Sequence, residues 1–525
     1  MSAFISSGEM RMGLSIFSSV FSLLLLIFGA GSTDLLSMMS TSEYWQAKGQ
    51  SPTTVELIAD VEPSKVSGDV QKLVTDLGSP EFKTRDAAQK ALARMGPDVV
   101  PLLKGATESK DAEVADAAKG IVASLTEHAK SRDMERLMAI RTLGERKEPS
   151  ALAALKEAEK SKEPFVADYA LRAVGQIEGH AVTPVDHRAE LEKDVWLLPQ
   201  DTGTVMQASA TSWLGTIDIP TMLDRVGNTP VVGMPAPNKA QLEQQLSAGL
   251  IKVVERIGNV RIDGATLGVS AEVSNDSGWV VVLLRGQFDR PAVVAAIKSL
   301  AGEDAPLTRE GGADVFTPEE STKIAFFDGC VMLVGSDSKE TTETLFAATS
   351  KALASGQGEL KANEKMAALL AGADRTGPLW AVSQVPAAIK KEDADLASFD
   401  TVMLATAVKN GSLTFSVTAK GSDAEQMKAA SDKLEGEVAD TVKEAKQLMA
   451  QVPPQFAATE QGEIAFMESL KFKTAGTTAV LSGEVSPSVI DALKSTLVTY
   501  AELVAPEITA AETAQPAEAP AGAAK

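Results

Sequence analysis

Cysteine is nearly absent: the 525 residues contain one, Cys330, so no internal disulfide holds the fold together. It falls in the apolar run Cys330-Val331-Met332-Leu333-Val334, which assigns it to the core as a small hydrophobe rather than to nucleophilic work. Histidine is almost as scarce. His128, His180 and His187 form neither an HExxH nor any comparable metal spacing, and no G-x-S-x-G elbow offers a serine for them to activate. A glycine-rich phosphate loop is missing too. Basic residues are outnumbered, 50 Lys and Arg against 71 Asp and Glu, and the net charge of −21 excludes the basic stripe that nucleic acid requires. The acidity is uneven. Residues 51 to 180 carry 19 basic and 22 acidic side chains, and residues 181 to 525 carry 29 and 46. No catalytic, cofactor-binding or metal-ligating residue is assigned, and Asp201, Asp218 and Asp224 are loose carboxylates whose spacing does not force them together. The expectation is a protein that is not an enzyme and carries no cofactor.

Long hydrophobic runs are also missing, with one exception. Met12 to Gly31 holds no charge, and Leu14 to Phe28 is its apolar centre, long enough for a signal-peptide core or a short membrane span. Arg11 precedes it, and Ala30-Gly31-Ser32 offers small residues for cleavage. A lipoprotein anchor is excluded because no cysteine lies nearby. Residues 1–32 are therefore a signal peptide or membrane anchor, 33–63 a spacer, and the bulk of the chain lies outside the cytoplasm, in the cell envelope or periplasm.

From Leu77 to Ile121 the pattern is helical. Ser79-Pro80 has the form of a helix start, and Phe82, Ala87, Ala88, Ala91, Leu92 and Met95 recur at three- and four-residue steps before Gly96-Pro97 ends the stripe. Val99, Val100, Leu102 and Leu103 mark a second helix. Val114, Ala117, Ala118, Ile121 and Leu125 mark a third, and Leu137 to Leu155 supplies another pair. Glu163-Pro164-Phe165, followed by Ala170, Leu171, Ala173, Val174 and Gly175, repeats the Pro80-Glu81-Phe82 segment. Residues 64–180 thus resemble HEAT-like repeats, with proline at a helix start, a basic residue inside the helix (Arg85, Arg172) and a Leu/Ala/Gly ending. The resemblance implies a scaffold with an extended face for a protein partner, in which Arg85 and Arg172 bridge neighbouring repeats. A generic helical bundle would bury the same stripes.

Residues 181–195, charged and containing Pro184, are expected to link this module to a domain spanning 196–505. There β-type runs pair around tight turns and are each followed by a helix, with four such units. Asn275-Asp276-Ser277-Gly278, Asp328-Gly329, Asn410-Gly411 and Ala475-Gly476 are the turns. Two units match in sequence, Arg285-Gly286-Gln287-Phe288 with its helix against Ser482-Gly483-Glu484-Val485 with its own, as an internal duplication would leave. The fold class is α+β overall: all-α hairpins, then a mostly antiparallel sheet with helices on one face. Leu198-Pro199-Gln200-Asp201-Thr202 and the units after it resemble a group of exported bacterial α+β proteins of unassigned function. Gly335-Ser336-Asp337-Ser338 and Gly421-Ser422-Asp423 join strands to helices, and helix capping accounts for them. Residues 506–525, rich in Ala, Pro and Glu, are expected to be a disordered tail.

Two functions follow. In the first, the chain is a non-catalytic envelope scaffold that binds a protein partner through its repeats, attached through residues 12–31 if that segment is not cleaved. In the alternative, the α+β domain is a small-ligand carrier or enzyme whose pocket is lined by Trp196, Trp213, Trp279 and Trp380, residues that core packing explains more simply.

Overall fold

The computed structural model describes residues 34–487 except 62–69, 95–98, 181, 183–187, 211–238, 273–277, 302–305, 393–395, 410–411, 450–451 and 453. The apolar run 12–31, the tail 506–525, the Gly96-Pro97 stop, the Asn410-Gly411 turn, most of the Asn275 turn and the helix expected after Pro487 lie outside these residues.

The first described segment is not a spacer. Asp34 starts a 3-10 turn, Leu35–Met38, and Ser40 caps helix α1, Thr41–Ala47, by accepting the Glu43 N–H. Helix α2, Thr54–Val61, follows. Leu36, Met39, Tyr44, Trp45, Leu57 and Val61 are buried in one core with residues more than seventy positions away, among them Met138, Ile140 and Tyr169. Their burial removes them from water, and that apolar area outweighs the polar linkers around them.

Helices α4 (Phe82–Arg94) and α5 (Val100–Thr107) pack on the first half of α6, Ala112–Glu145, and α3 (Val70–Asp76) packs on α4 and α5. They bury Leu77, Ala88, Leu92, Leu103, Val114, Ala118 and Ile121 as a separate small core. Asp111 caps α6 through the Glu113 N–H. The sequence predicts two helices where this single 34-residue one runs. No proline or glycine lies between Ile121 and Leu143, so nothing in that stretch stops the helix. Its second half packs with α7 (Leu152–Ala158) and α8 (Pro164–Glu178) in the larger core. Pro164 sits at the first turn of α8 and Gly179 closes it with φ 77°.

The expected linker carries helix α9, Arg188–Val195, whose Leu191, Asp194 and Val195 are buried on the sheet. Strand β1 (Thr202–Ser209) and helix α10 (Lys239–Ile257) come next. Then β2 (Val260–Ser270), β3 (Trp279–Phe288) and α11 (Arg290–Ala301) form the first hairpin-plus-helix unit. Strands β4 (Leu307–Glu310) and β5 (Ala313–Glu319) precede β6 (Thr322–Phe327), β7 (Cys330–Ser336) and α12 (Lys339–Ser355). Helix α13 (Glu364–Gly372), β8 (Leu379–Gln384) and α14 (Ala387–Glu392) lead to β9 (Phe399–Lys409), β10 (Ser412–Gly421) and α15 (Ala424–Leu448). Last come α16 (Pro454–Ser469), β11 (Lys471–Ala475) and β12 (Thr478–Val485). The chain is α+β, with helices concentrated in its N-terminal half. The twelve described strands make one antiparallel sheet in the order β11-β12-β10-β9-β8-β1-β2-β3-β7-β6-β5-β4.

The covering helices divide between the two faces rather than sharing one. On the first face Val205, Val281, Leu283, Met332, Val334, Trp380 and Val382 meet Leu345 and Phe346 of α12 and Met366 and Leu370 of α13. Registry with β8 and β9 puts Phe415 on the opposite face, where it stacks against Phe466 of α16 with ring centroids 5.7 Å apart. The face under α9 is glycine-dependent. A Cβ on Gly264 would stand 2.3 Å from Leu191 Cδ1 and 2.8 Å from the Ala208 carbonyl, so only glycine lets that leucine seat against β2. Gly264→Ala should therefore lower unfolding free energy by about 1–3 kcal/mol in a urea titration, as overpacking of a filled core does. Adding Leu191→Ala should make the two losses less than additive; strict additivity would show that the glycine does not serve this contact.

Candidate functional site

Three segments distant in sequence converge on one carboxylate. Asp34 pairs in an antiparallel bridge with Arg261 at the start of β2, and its side chain is 1 % exposed. Its Oδ1 accepts three hydrogen bonds: from the Tyr169 hydroxyl of α8 at 2.6 Å, from Asn259 Nδ2 at 2.9 Å and from the Ser37 N–H at 3.0 Å. Asn259 Oδ1 accepts the Leu36 N–H at 3.1 Å. Burial, and next the adjacent Asp34 carboxylate, hold the Tyr169 phenol well above its ordinary pKa, so it remains a donor. Beside this group Arg261 is itself buried. It donates to Asp263 Oδ1 at 2.8 Å, where a β-bulge interrupts the β2–β3 pairing, and reaches Asp168 of α8 at 3.3 Å. Arg141 of α6 closes the N-terminal segment from the other side by donating to the Leu36 and Met39 carbonyls. Helices, N-terminal clip and sheet are thus joined through desolvated polar groups whose partners satisfy them, as buried charge demands.

The two arginines expected to bridge repeats have different positions. Arg85 donates to the Ser79 carbonyl at 2.8 Å and the Pro80 carbonyl at 3.2 Å, and lies 3.9 Å from Glu113 at the start of α6. It ties the entry of its own helix and reaches α6, two helices on. Arg172 pairs with Asp168 one turn back on α8 at 3.0 Å. It joins the network around Arg261 through that shared carboxylate. Phe82 departs from its expected place in the α4 stripe: it is 72 % exposed, and Leu102 of α5 is 57 % exposed. Isolated apolar side chains on a surface are ordinary, but a projecting phenylalanine is the residue type that anchors contacts.

At the opposite end of the sheet an open cleft of about 990 Å³ lies between α12, α13 and the chain entering β1. Asp201, Glu340, Glu359 and Glu364 line it, against one ammonium, Lys365. Trp279 forms part of its wall, with its indole N–H donating to Asp201 Oδ2 at 2.8 Å. Asn363 braces it by donating to the Gln200 and Thr202 carbonyls while its Oδ1 caps α13. Of the tryptophans expected to share one pocket, only Trp279 reaches this cleft. Trp380 is buried beneath the sheet and donates to Gln207 Oε1 at 3.2 Å, Trp196 lies under the Lys361 ammonium, and Trp213 falls outside the described residues. Asp218, Asp224 and His187 also fall outside them. His180 pairs with Glu178 at the surface. Cys330 is buried, and desolvation pushes its thiol up to about 11 even with Arg285 alongside, so it is no thiolate at neutral pH. Ser338 and Asp423 cap α12 and α15, so the two strand-to-helix junctions have the role that capping gives them. Among the described residues no group of three or more His, Cys, Asp or Glu is arranged to hold a metal ion, and no helix is long and apolar enough to cross a membrane.

Sequence reasoning missed Asp34, Asn259 and Arg261. The available signal was the pair Arg261 and Asp263 inside an otherwise apolar strand, since charge there needs a buried partner.

No protein-family profile matches the chain, and no curated protein matches it. Among solved structures, crystal form III of TP0453 aligns over 60 % of this chain and 99 % of its own, with 8 % identity and a TM-score of 0.28. Crystal form I of TP0453 gives 58 %, 97 %, 8 % and 0.28 for the same quantities. Form IV gives 57 %, 96 %, 10 % and 0.27. Scores this low do not establish a common fold.

The network ranks the arginines. Arg261→Met removes the buried cation shared by Asp263 and Asp168 and should lower stability by about 3–5 kcal/mol. Arg172→Met, at a side chain 43 % exposed, should cost less than about 1 kcal/mol. Equal losses in chemical denaturation would contradict this ordering.

Proposed function

We propose that the chain is a non-catalytic, extracytoplasmic envelope protein whose helical module binds a protein partner. Residues 12–31 direct export, and helices α3 to α8 act as a short HEAT-like scaffold. The observation that carries this reading is the exposure of Phe82 and Leu102 on successive helices whose other sides fill a core. Each helix is already stabilised by its buried face, so the outward apolar side chains are available for contacts with another molecule. The Pro164 start of α8 and the Arg85 contact to α6 support the same reading.

The full chain and a Phe82→Ser, Leu102→Ser double variant, each cross-linked in native envelope membranes, should differ. Losing two anchors of this kind should reduce recovery of the specific partner at least roughly tenfold. Thermal midpoints should agree within about 2 °C, because exposed substitutions barely touch stability. Equal recovery would remove the helical surface as the binding face.

The acidic cleft favours a second reading, a carrier of a small cationic ligand: four carboxylates, a fixed indole and one lysine line it. Cadaverine titrated into the full chain should then change tryptophan emission saturably, and Trp279→Phe should abolish that change. A linear, unsaturable response would dispose of this reading.

A further inference from the structure

The helices form two packets on α6, each with its own core. The smaller core, built on Leu77, Leu92, Leu103 and Val114, shares no residue with the larger one, and α3, α4 and α5 pack among themselves and on α6. Stacked helical hairpins bury one side on the unit before and the other on the unit after, so an end that meets water needs a polar outer side. This end lacks one. Phe82 is 72 % exposed, Leu102 is 57 % exposed, and α3, the helix before them, has no fully buried residue. An outward phenylalanine and leucine at the end of an array are what a further unit would cover.

Charge selects that unit. The chain carries −21, so two copies repel over most of their surfaces. Residues 70 to 121 escape this, because they hold 8 Lys and Arg against 8 Asp and Glu. Both signs accompany the apolar anchors: exposed Glu81 and Lys83 flank Phe82, and exposed Lys104 and Glu108 follow Leu102. A surface of this composition can meet a copy of itself about a two-fold axis, with acids of one copy facing bases of the other, and the axis presents each anchor twice.

We propose that the packet of α3, α4 and α5 is a self-association surface on which a second copy of the chain docks, burying Phe82 and Leu102 of both copies. This rests on the helical-scaffold reading above and names the partner as the chain itself. Two apolar anchors a side make a contact smaller than the roughly 1,200 Å² of a standard interface, so the dimer is reversible, with a dissociation constant on the order of micromolar.

Sedimentation velocity on the full chain in nonionic detergent, from about 1 to 100 µM, should show monomer passing into dimer. Phe82→Ser with Leu102→Ser should raise the dissociation constant at least roughly tenfold. Lys83→Glu with Lys104→Glu should weaken the dimer, and so, separately, should Glu81→Lys with Glu108→Lys. Mixing these two charge variants should restore association, a recovery that misfolded protein would not give. A dimer indifferent to all of these substitutions overturns the proposal, because it forms elsewhere on the chain. A chain that stays monomeric at the highest concentration overturns it too. If the Phe82→Ser, Leu102→Ser variant then still loses its envelope partner, the scaffold reading stands with a different protein on this surface; undiminished recovery removes both.

Discussion

A buried charge has to be matched by groups that replace its water, and in this molecule that requirement is met at Asp34. Its carboxylate has no solvent and takes hydrogen bonds from α8, from the residue before β2 and from its own turn. Arg261 meets the same requirement a residue away with Asp263 and Asp168. Apolar burial supplies the bulk of the driving force but is indifferent to direction. The polar junction adds what burial cannot, a single permitted alignment of the N-terminal clip, the helices and the sheet. Buried ion pairs of this sort are weak evidence for net stability and better evidence for specificity, since misalignment leaves charges stranded.

Around that junction the two halves are built on different principles. The helical half has two cores served by one long helix, while the sheet half is a continuous antiparallel ladder with helices laid over different parts of each face. Glycine at 264 and the bulge near Asp263 adjust β2 where both halves press on it, the first by admitting Leu191 and the second by interrupting the ladder beside the salt bridge.

What was legible in the sequence was local. Alternation and turn dipeptides located all four hairpins, because Gly329 and Gly476 adopt the positive φ that such turns need, 72° and 56°. Ser338 and Asp423 read correctly as caps because capping acts within three residues. The misreadings were long-range. Thr33 to Pro63 resembled a spacer, because its hydrophobics gain meaning only from distant partners, as Trp45 does from Thr142, which accepts its indole N–H across 97 positions. Phe82 fitted the helical period of its stripe, yet periodicity shows which residues share a side and not where a helix stops touching its neighbour. The cleft was half visible: Trp279 and Asp201 were each singled out, but the α12 and α13 residues that complete it come from elsewhere in the chain.

Helix α6 is a shaft of about 51 Å with one helical packet assembled near each end. Every residue added to or removed from its middle would turn one packet about 100° relative to the other. The residue count of α6 therefore contributes directly to the angular phase between the two packets. Single-residue insertions between Ile121 and Met134 are geometrically severe, whereas changes of seven residues nearly restore the phase and mainly alter reach. The middle of α6 is thus constrained in its length.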